Sequence, residues 1–151
     1  MIRVLFLCTG NSCRSQMAEG WVRQLKAGSI EPYSAGVEPH GLNPRAVQAM
    51  AEAGVDISSQ RSKHWNEVQH IDFDFVVTVC DRAHESCPVF PGKTRMIHRS
   101  FDDPPRLAKD AKDEEEALQH YRRVRDEIRD FVATLPEALS SRFETDDPTG
   151  T

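Results

Sequence analysis

No stretch of this chain approaches the ~20 consecutive apolar residues that a membrane-crossing helix needs. No block of Lys and Arg is present, and the formal net charge is −5. Neither a bilayer nor a nucleic acid is therefore an expected partner. No internal repeat or linker divides the 151 residues, so one domain with a real core is expected over 1–139. From Ser140 to Thr151 apolar periodicity is missing, and a flexible tail is expected. Met1 to Cys8 is too short for a secretory leader and lacks a small-residue cleavage site, which makes the cytoplasm the expected location. Cysteine is scarce. The four present are expected as thiols in that compartment, unless redox chemistry is their purpose.

What the chain does have is 38% hydrophobic and 28% charged residues, the balance of a folded soluble protein. Val4-Leu-Phe-Leu7, within a strand from Arg3 to Leu7, reads as buried on both faces. A helix over Gln16 to Lys26 carries Met17, Ala18, Trp21, Val22 and Leu25 at helical spacing and stops at Gly28. Glu31 to Gly36 reads as a second, shorter strand. Asn43 caps the next helix and Pro44 takes its first position, with Ala46, Val47, Met50 and Ala51 inward and Gly54 as the stop. A third helix is predicted near Ser62 to Val68. Phe73 to Val79 is the second strong strand, and Thr94 to His98 the fourth. Asp103 to Arg106 reads as a loop. The longest helix is predicted over Asp113 to Leu135, its acidic start a solvated face. Strands alternating with helices imply an α/β fold, a parallel sheet with helices on both faces.

Cys8-Thr-Gly-Asn-Ser-Cys-Arg14-Ser15 follows the first strand directly and opens the first helix. A loop of five residues between Cys8 and Arg14 must curl, turning backbone N–H groups inward as an anion nest. The helix adds the positive end of its dipole, and Arg14 a planar fork matched to a tetrahedral oxyanion. Thr9, Gly10, Asn11, Ser12, Cys13, Arg14 and Ser15 are the expected oxyanion-binding set. Cys8 beneath this field is expected as a thiolate. Strand, loop and helix in that order favour a nucleophile beneath an oxyanion site over a simple turn ending a buried strand.

Ligands in such sheets sit beyond the carboxyl ends of strands. Cys80 follows the third strand as Cys8 follows the first, so adjacent strands would bring both sulfurs to one rim. Cys80 and Cys87 are seven apart in a charged segment. Structural thiols remain open, but the surroundings of Cys87 are not apolar. A four-cysteine zinc site fails on spacing, and no metal is expected. A thiol–disulfide relay fits better. Asp103 before Pro104 is either a plain turn or a carboxyl held at the anion site to protonate a leaving oxygen.

Residues 8–21, Cys-Thr-Gly-Asn-Ser-Cys-Arg-Ser-Gln-Met-Ala-Glu-Gly-Trp, resemble the P-loop of thioredoxin-coupled arsenate reductases. These are similar in fold to low-molecular-weight protein tyrosine phosphatases. The resemblance continues through Tyr33–Gly36, His40–Pro44, Asp56–Ser58, Val76–Cys80, Cys87-Pro88, Phe101–Pro104 and Arg123–Ile128. Cys80 and Cys87 are its specific part, because the phosphatases as a class lack them. Pro105 to His120 departs from it, being longer and more acidic than the corresponding segment.

The resemblance implies a four-stranded parallel sheet flanked by helices, the phosphatase-like P-loop fold. It implies reduction of arsenate to arsenite by a monomer, with no bound cofactor and thioredoxin as reductant. Cys8 would attack arsenic, Arg14 and the loop amides would stabilise charge, and Asp103 would act as general acid. Cys80 would attack Cys8, then Cys87 would attack Cys80, so the 80–87 segment must move. Cys13 would be structural, and Ser15 would hydrogen-bond the Cys8 thiolate. The alternatives are a phosphotyrosine phosphatase using Cys8, Arg14 and Asp103 alone, and a non-enzymatic oxyanion or thiol sensor. Some relatives bind potassium beside this loop, and Asn11, Glu19 and Ser34 match three of its ligands. Arg61 and Lys63 stand where the other two would be. The Lys63 ammonium is therefore expected to replace the ion, donating to Asn11 and Glu19.

Overall fold

Val4, Leu5, Phe6 and Leu7 are completely buried, as a central parallel strand requires. They belong to β1 (Ile2–Cys8) in a computed structural model that describes residues 1–85, 90 and 93–139. The expected tail over 140–151 and the position of Cys87 lie outside the described residues.

β1 pairs in parallel with β2 (Ile30–Gly36) on one side and β3 (Phe75–Thr78) on the other. β4 (Arg95–His98) extends the sheet beyond β3, giving the order β2-β1-β3-β4. The register sets Cys8 opposite Gly36 and Leu7 opposite Thr78. The ends of β1 and β3 therefore lie side by side, and Cys80 follows two residues later.

Helix α1 (Arg14–Leu25) buries Met17, Ala18, Trp21 and Val22, while Leu25 is exposed because the chain leaves the core at the last turn. The indole N–H of Trp21 donates to the Arg125 carbonyl at 3.1 Å. Helix α2 (Pro44–Glu52) begins as expected: Asn43 Oδ1 accepts from the N–H groups of Arg45 and Ala46, and Pro44 needs no partner in the first turn. Its buried stripe is Ala46, Ala49 and Met50. Ala51 faces solvent, a correction of one position on the helical wheel. The predicted helix at 62–68 is only the 3-10 turn Trp65–Glu67, with the His64 ring as its cap.

α3 (Asp81–Glu85) follows Cys80, and α4 (Pro104–Leu107) occupies the segment read as a loop. Two prolines suggested a turn there. Both fit the first turn of a helix, where their missing N–H groups are no loss. A 3-10 turn (Ala108–Asp110) leads to α5 (Glu114–Ala133), which Asp113 caps by accepting from Glu116 N–H. α5 lays Leu118, Tyr121, Val124, Ile128 and Val132 against the core and packs on α1 and α2. Among the described residues no helix is long and apolar enough to cross a membrane.

Candidate active site

The loop between β1 and α1 is shaped from outside. The Thr9 carbonyl accepts from Glu38 N–H at 2.8 Å, that of Gly10 from His40 N–H at 2.9 Å, and that of Ser12 from Asn43 N–H at 2.9 Å. The Asn11 carbonyl accepts from Gln16 Nε2 at 3.0 Å. In a trans peptide the C=O of one residue and the N–H of the next point in opposite directions. With four successive carbonyls held outward, the N–H groups of Gly10, Asn11, Ser12 and Cys13 turn inward. Asn11 makes the bend at φ 48°, a left-handed conformation that Asn tolerates better than most residues. Gly36 lets β2 approach, since a Cβ there would lie 2.7 Å from the Thr9 carbonyl oxygen.

Thr9, Gly10, Ser12 and Cys13 of this loop line a cavity of about 490 Å³ that also takes in Cys8, Arg14, His40, Cys80 and Asp103. The buried Arg14 guanidinium is aimed by its Nη1, which donates to the Phe101 carbonyl at 2.8 Å. Its Nη2 lies 3.7 Å from Asp103 Oδ1, and its buried Nε has no hydrogen-bond partner. Asp103 Oδ1 thus meets the loop across Arg14, from the N-cap position of α4. Asn11 and Ser15 are fully buried and outside the cavity lining. The Ser15 hydroxyl oxygen accepts from Asn11 Nδ2 at 2.9 Å, so it braces the loop's own scaffold, where a bond to Cys8 was expected.

Cys8 and Cys80 are both buried, line the same cavity and shift each other's titration. Thr9 Oγ1 stands 3.2 Å from Cys80 Sγ. Hydrogen bonds from Cys8, Thr9 and the Ala83 N–H, with the Arg14 charge, pull Cys80 down to about 5. Cys8 is pushed well up, first by its hydrogen bond to Cys80 and then by burial. The expectation of a Cys8 thiolate needs correcting: two neighbouring thiols share one negative charge. The shifts draw the charge toward Cys80, which has more donors. Cys13 keeps its proton, burial pushing it up to about 12.

Lys63 turns inward, though onto different partners than expected. Its ammonium donates to the carbonyls of Ser34 at 2.9 Å and Arg61 at 2.8 Å, while its backbone N–H, not its side chain, donates to Asn11 Oδ1. Burial lowers its pKa, and the Glu19 charge works against that. Glu19 accepts from Ser34 Oγ at 2.6 Å and from Arg23.

Sequence reasoning missed the belt that turns the loop, above all Gln16, His40, Asn43 and Ser62. Ser62 Oγ donates to the Gly10 carbonyl at 3.2 Å. A glutamine at the start of a helix and an asparagine cap were the available signals, but neither says which carbonyl it will meet.

The model of the low molecular weight phosphotyrosine protein phosphatase family matches residues 3–145. The chain belongs to this family. Within it, an arsenate reductase of Bacillus subtilis strain 168 is 50% identical over 134 residues, covering 89% of this chain and 94% of that protein. A solved arsenate reductase in its oxidized state superposes with TM-score 0.72 at 31% identity, covering 92% of this chain and 99% of that one. A thioredoxin-dependent arsenate reductase of Corynebacterium glutamicum superposes with TM-score 0.66 at 25% identity, covering 93% of this chain and 63% of that one.

Proposed function

We propose that this chain reduces arsenate to arsenite through Cys8, Cys80 and Cys87, with thioredoxin as the final reductant. The observation that carries the reading is a second cysteine, Cys80, lining the oxyanion cavity together with Cys8. Phosphate-ester hydrolysis in this family's site needs Cys8, Arg14 and Asp103 and has no use for Cys80. The similarity to arsenate reductases at 50% identity supports the same choice.

The loop from Thr9 to Arg14 holds the oxyanion on its inward N–H groups, and Arg14 Nε gains the acceptor it lacks. The Cys8 proton passes to Cys80, which makes Cys8 the nucleophile. Cys8 sulfur attacks arsenic, and the oxygen it displaces leaves as water with a proton from Asp103. Cys80 then attacks Cys8 sulfur. The arsenic–sulfur bond breaks with its electron pair going to arsenic, which becomes arsenite and takes the Cys80 proton on oxygen. Cys87 attacks Cys80, Cys8 is released, and thioredoxin reduces the Cys80–Cys87 disulfide. This sequence needs the segment from Cys80 to Cys87 to move. All residues named come from one chain, which fits a monomer, and a thioredoxin-linked cycle fits the cytoplasm.

The test is an arsenate-dependent NADPH-consumption assay with thioredoxin and its reductase, beside a phosphatase assay. Continuous consumption requiring both arsenate and thioredoxin supports the reading. Phosphatase activity without it would make the chain a phosphatase, and a single oxidation without turnover would make it a sensor.

A further inference from the structure

Backbone bonds from the chain after β4 hold the residues that lead up to Cys80. Arg99 N–H donates to the Thr78 carbonyl at 2.9 Å, and Phe101 N–H to the Val79 carbonyl at 3.1 Å. Past Val79, side chains take over. His98 stands opposite Thr78 in the parallel register of β3 and β4. Its Nδ1 lies 2.8 Å from the buried Thr78 Oγ1, and its Nε2 lies 2.9 Å from Asp81 Oδ1. One imidazole therefore spans Val79-Cys80 from the residue before to the residue after. A carboxylate only accepts, so Nε2 donates to Asp81, and in the neutral ring Nδ1 accepts from the Thr78 hydroxyl. Arg82, the next residue of α3, pairs with Glu38. Glu38 in turn donates its backbone N–H to the Thr9 carbonyl of the oxyanion loop. The two tethers run toward opposite edges of the sheet, one to the end of β4 and one just past the end of β2.

We infer that His98 is a positioning residue for Cys80, and that His98–Asp81 and Arg82–Glu38 together strap this cysteine to the cavity. Asp81, Arg82 and Glu38 are exposed, and an exposed pair shifts an equilibrium by about two- to fivefold. Such a strap biases Cys80 toward the cavity and still opens readily. The use of that balance rests on the arsenate reading, in which Cys80 first meets Cys8 and then leaves it for Cys87. The strap itself does not.

The experiment labels the reduced full-length protein, free of oxyanion, with a maleimide on a bulky polyethylene glycol chain, and maps the modified cysteines by mass spectrometry. Asp81→Ala and His98→Phe should each speed labelling of Cys80 about two- to fivefold and leave the buried Cys13 unchanged. The double variant should be no faster than either single one, because both remove the same bridge. Asp81→Asn loses the same charge as Asp81→Ala but keeps an acceptor for Nε2–H, so it should label near the unsubstituted rate. Glu38→Gln, a surface change at the other tether, should also speed Cys80. Multiplying effects of Asp81→Ala and His98→Phe, or Cys13 rising in step with Cys80, would overturn the inference. If His98→Phe does not fold, unchanged Cys80 labelling in Asp81→Ala and Glu38→Gln overturns it equally. In the Cys87→Ser background, Asp81→Ala should also slow single-turnover arsenite release. A protein that releases no arsenite refutes the arsenate reading alone, and the labelling still decides the strap.

Discussion

The Lys63 ammonium donates to the Ser34 carbonyl at 2.9 Å, on the strand whose Ser34 hydroxyl donates to Glu19. A fixed cation therefore lies among the oxygens behind the loop that cradles the oxyanion. Activity and melting temperature should be unchanged when potassium replaces sodium at constant ionic strength. A clear potassium-specific stabilisation would refute this. Lys63→Asp in an Arg61→Thr background should gain a potassium response, read as a rise in melting temperature with added potassium chloride. Lys63→Met should cost about 1 kcal/mol in urea unfolding, because the carbonyl of buried Ser34 loses a donor.

Replacing Cys8 by Ser should abolish both arsenate reduction and any phosphatase side activity, since both need one nucleophile. Cys80→Ser and Cys87→Ser should stop thioredoxin-linked turnover and spare the phosphatase reaction. Normal turnover by Cys87→Ser would remove the relay.

Asp103→Asn should slow the phosphatase side reaction by about 10²–10⁴-fold, the usual worth of a positioned general acid. An unaltered rate and pH profile would take Asp103 out of the chemistry.

Cys80, held down to about 5, should remain thiolate from pH 8 to pH 6, while an ordinary thiol loses about a hundredfold of its ionised fraction over that range. Alkylation of the oxyanion-free protein by a small haloacetamide at pH 6, mapped by mass spectrometry, should mark Cys80 before Cys8 or Cys13. Prior labelling of Cys8 would contradict the charge placement. Thr9→Val should raise the apparent Cys80 pKa, because it removes one donor.

Gly36→Ala would set a methyl group 2.7 Å from the Thr9 carbonyl oxygen and 2.9 Å from Asn11 N. The loop must shift to relieve this. Reductase and phosphatase activity should fall together, with about 1–3 kcal/mol of stability lost to overpacking. A fully active variant would mean the loop tolerates displacement.

β1, its loop and α1 were legible because Val4 to Leu7, Gly10-Asn11 and the Met17/Trp21 stripe each obey a local rule. Asn43-Pro44 was legible for the same reason. The 62–68 segment was not: its partners are Gly10, Asn11 and Ser34, distant in sequence, and they hold it extended up to a single 3-10 turn. Asp103-Pro104-Pro105 misled because a helix start and a turn use the same residues. The charge on Cys80 was hidden because it depends on which sulfur collects the Thr9 and Ala83 donors, a property of two chain ends meeting at a sheet rim.

The outward carbonyls of the loop are held by Gln16, Glu38, His40, Asn43 and Ser62, and Arg14 is aimed by the Phe101 carbonyl. None of these contacts is available to the first fifteen residues alone. A nascent or broken chain that ends before Phe101 carries the nucleophile without its finished cradle. The pocket is thus a gauge of completed folding. Its thiols acquire their directed reactivity only once distant parts of the polypeptide have closed around them.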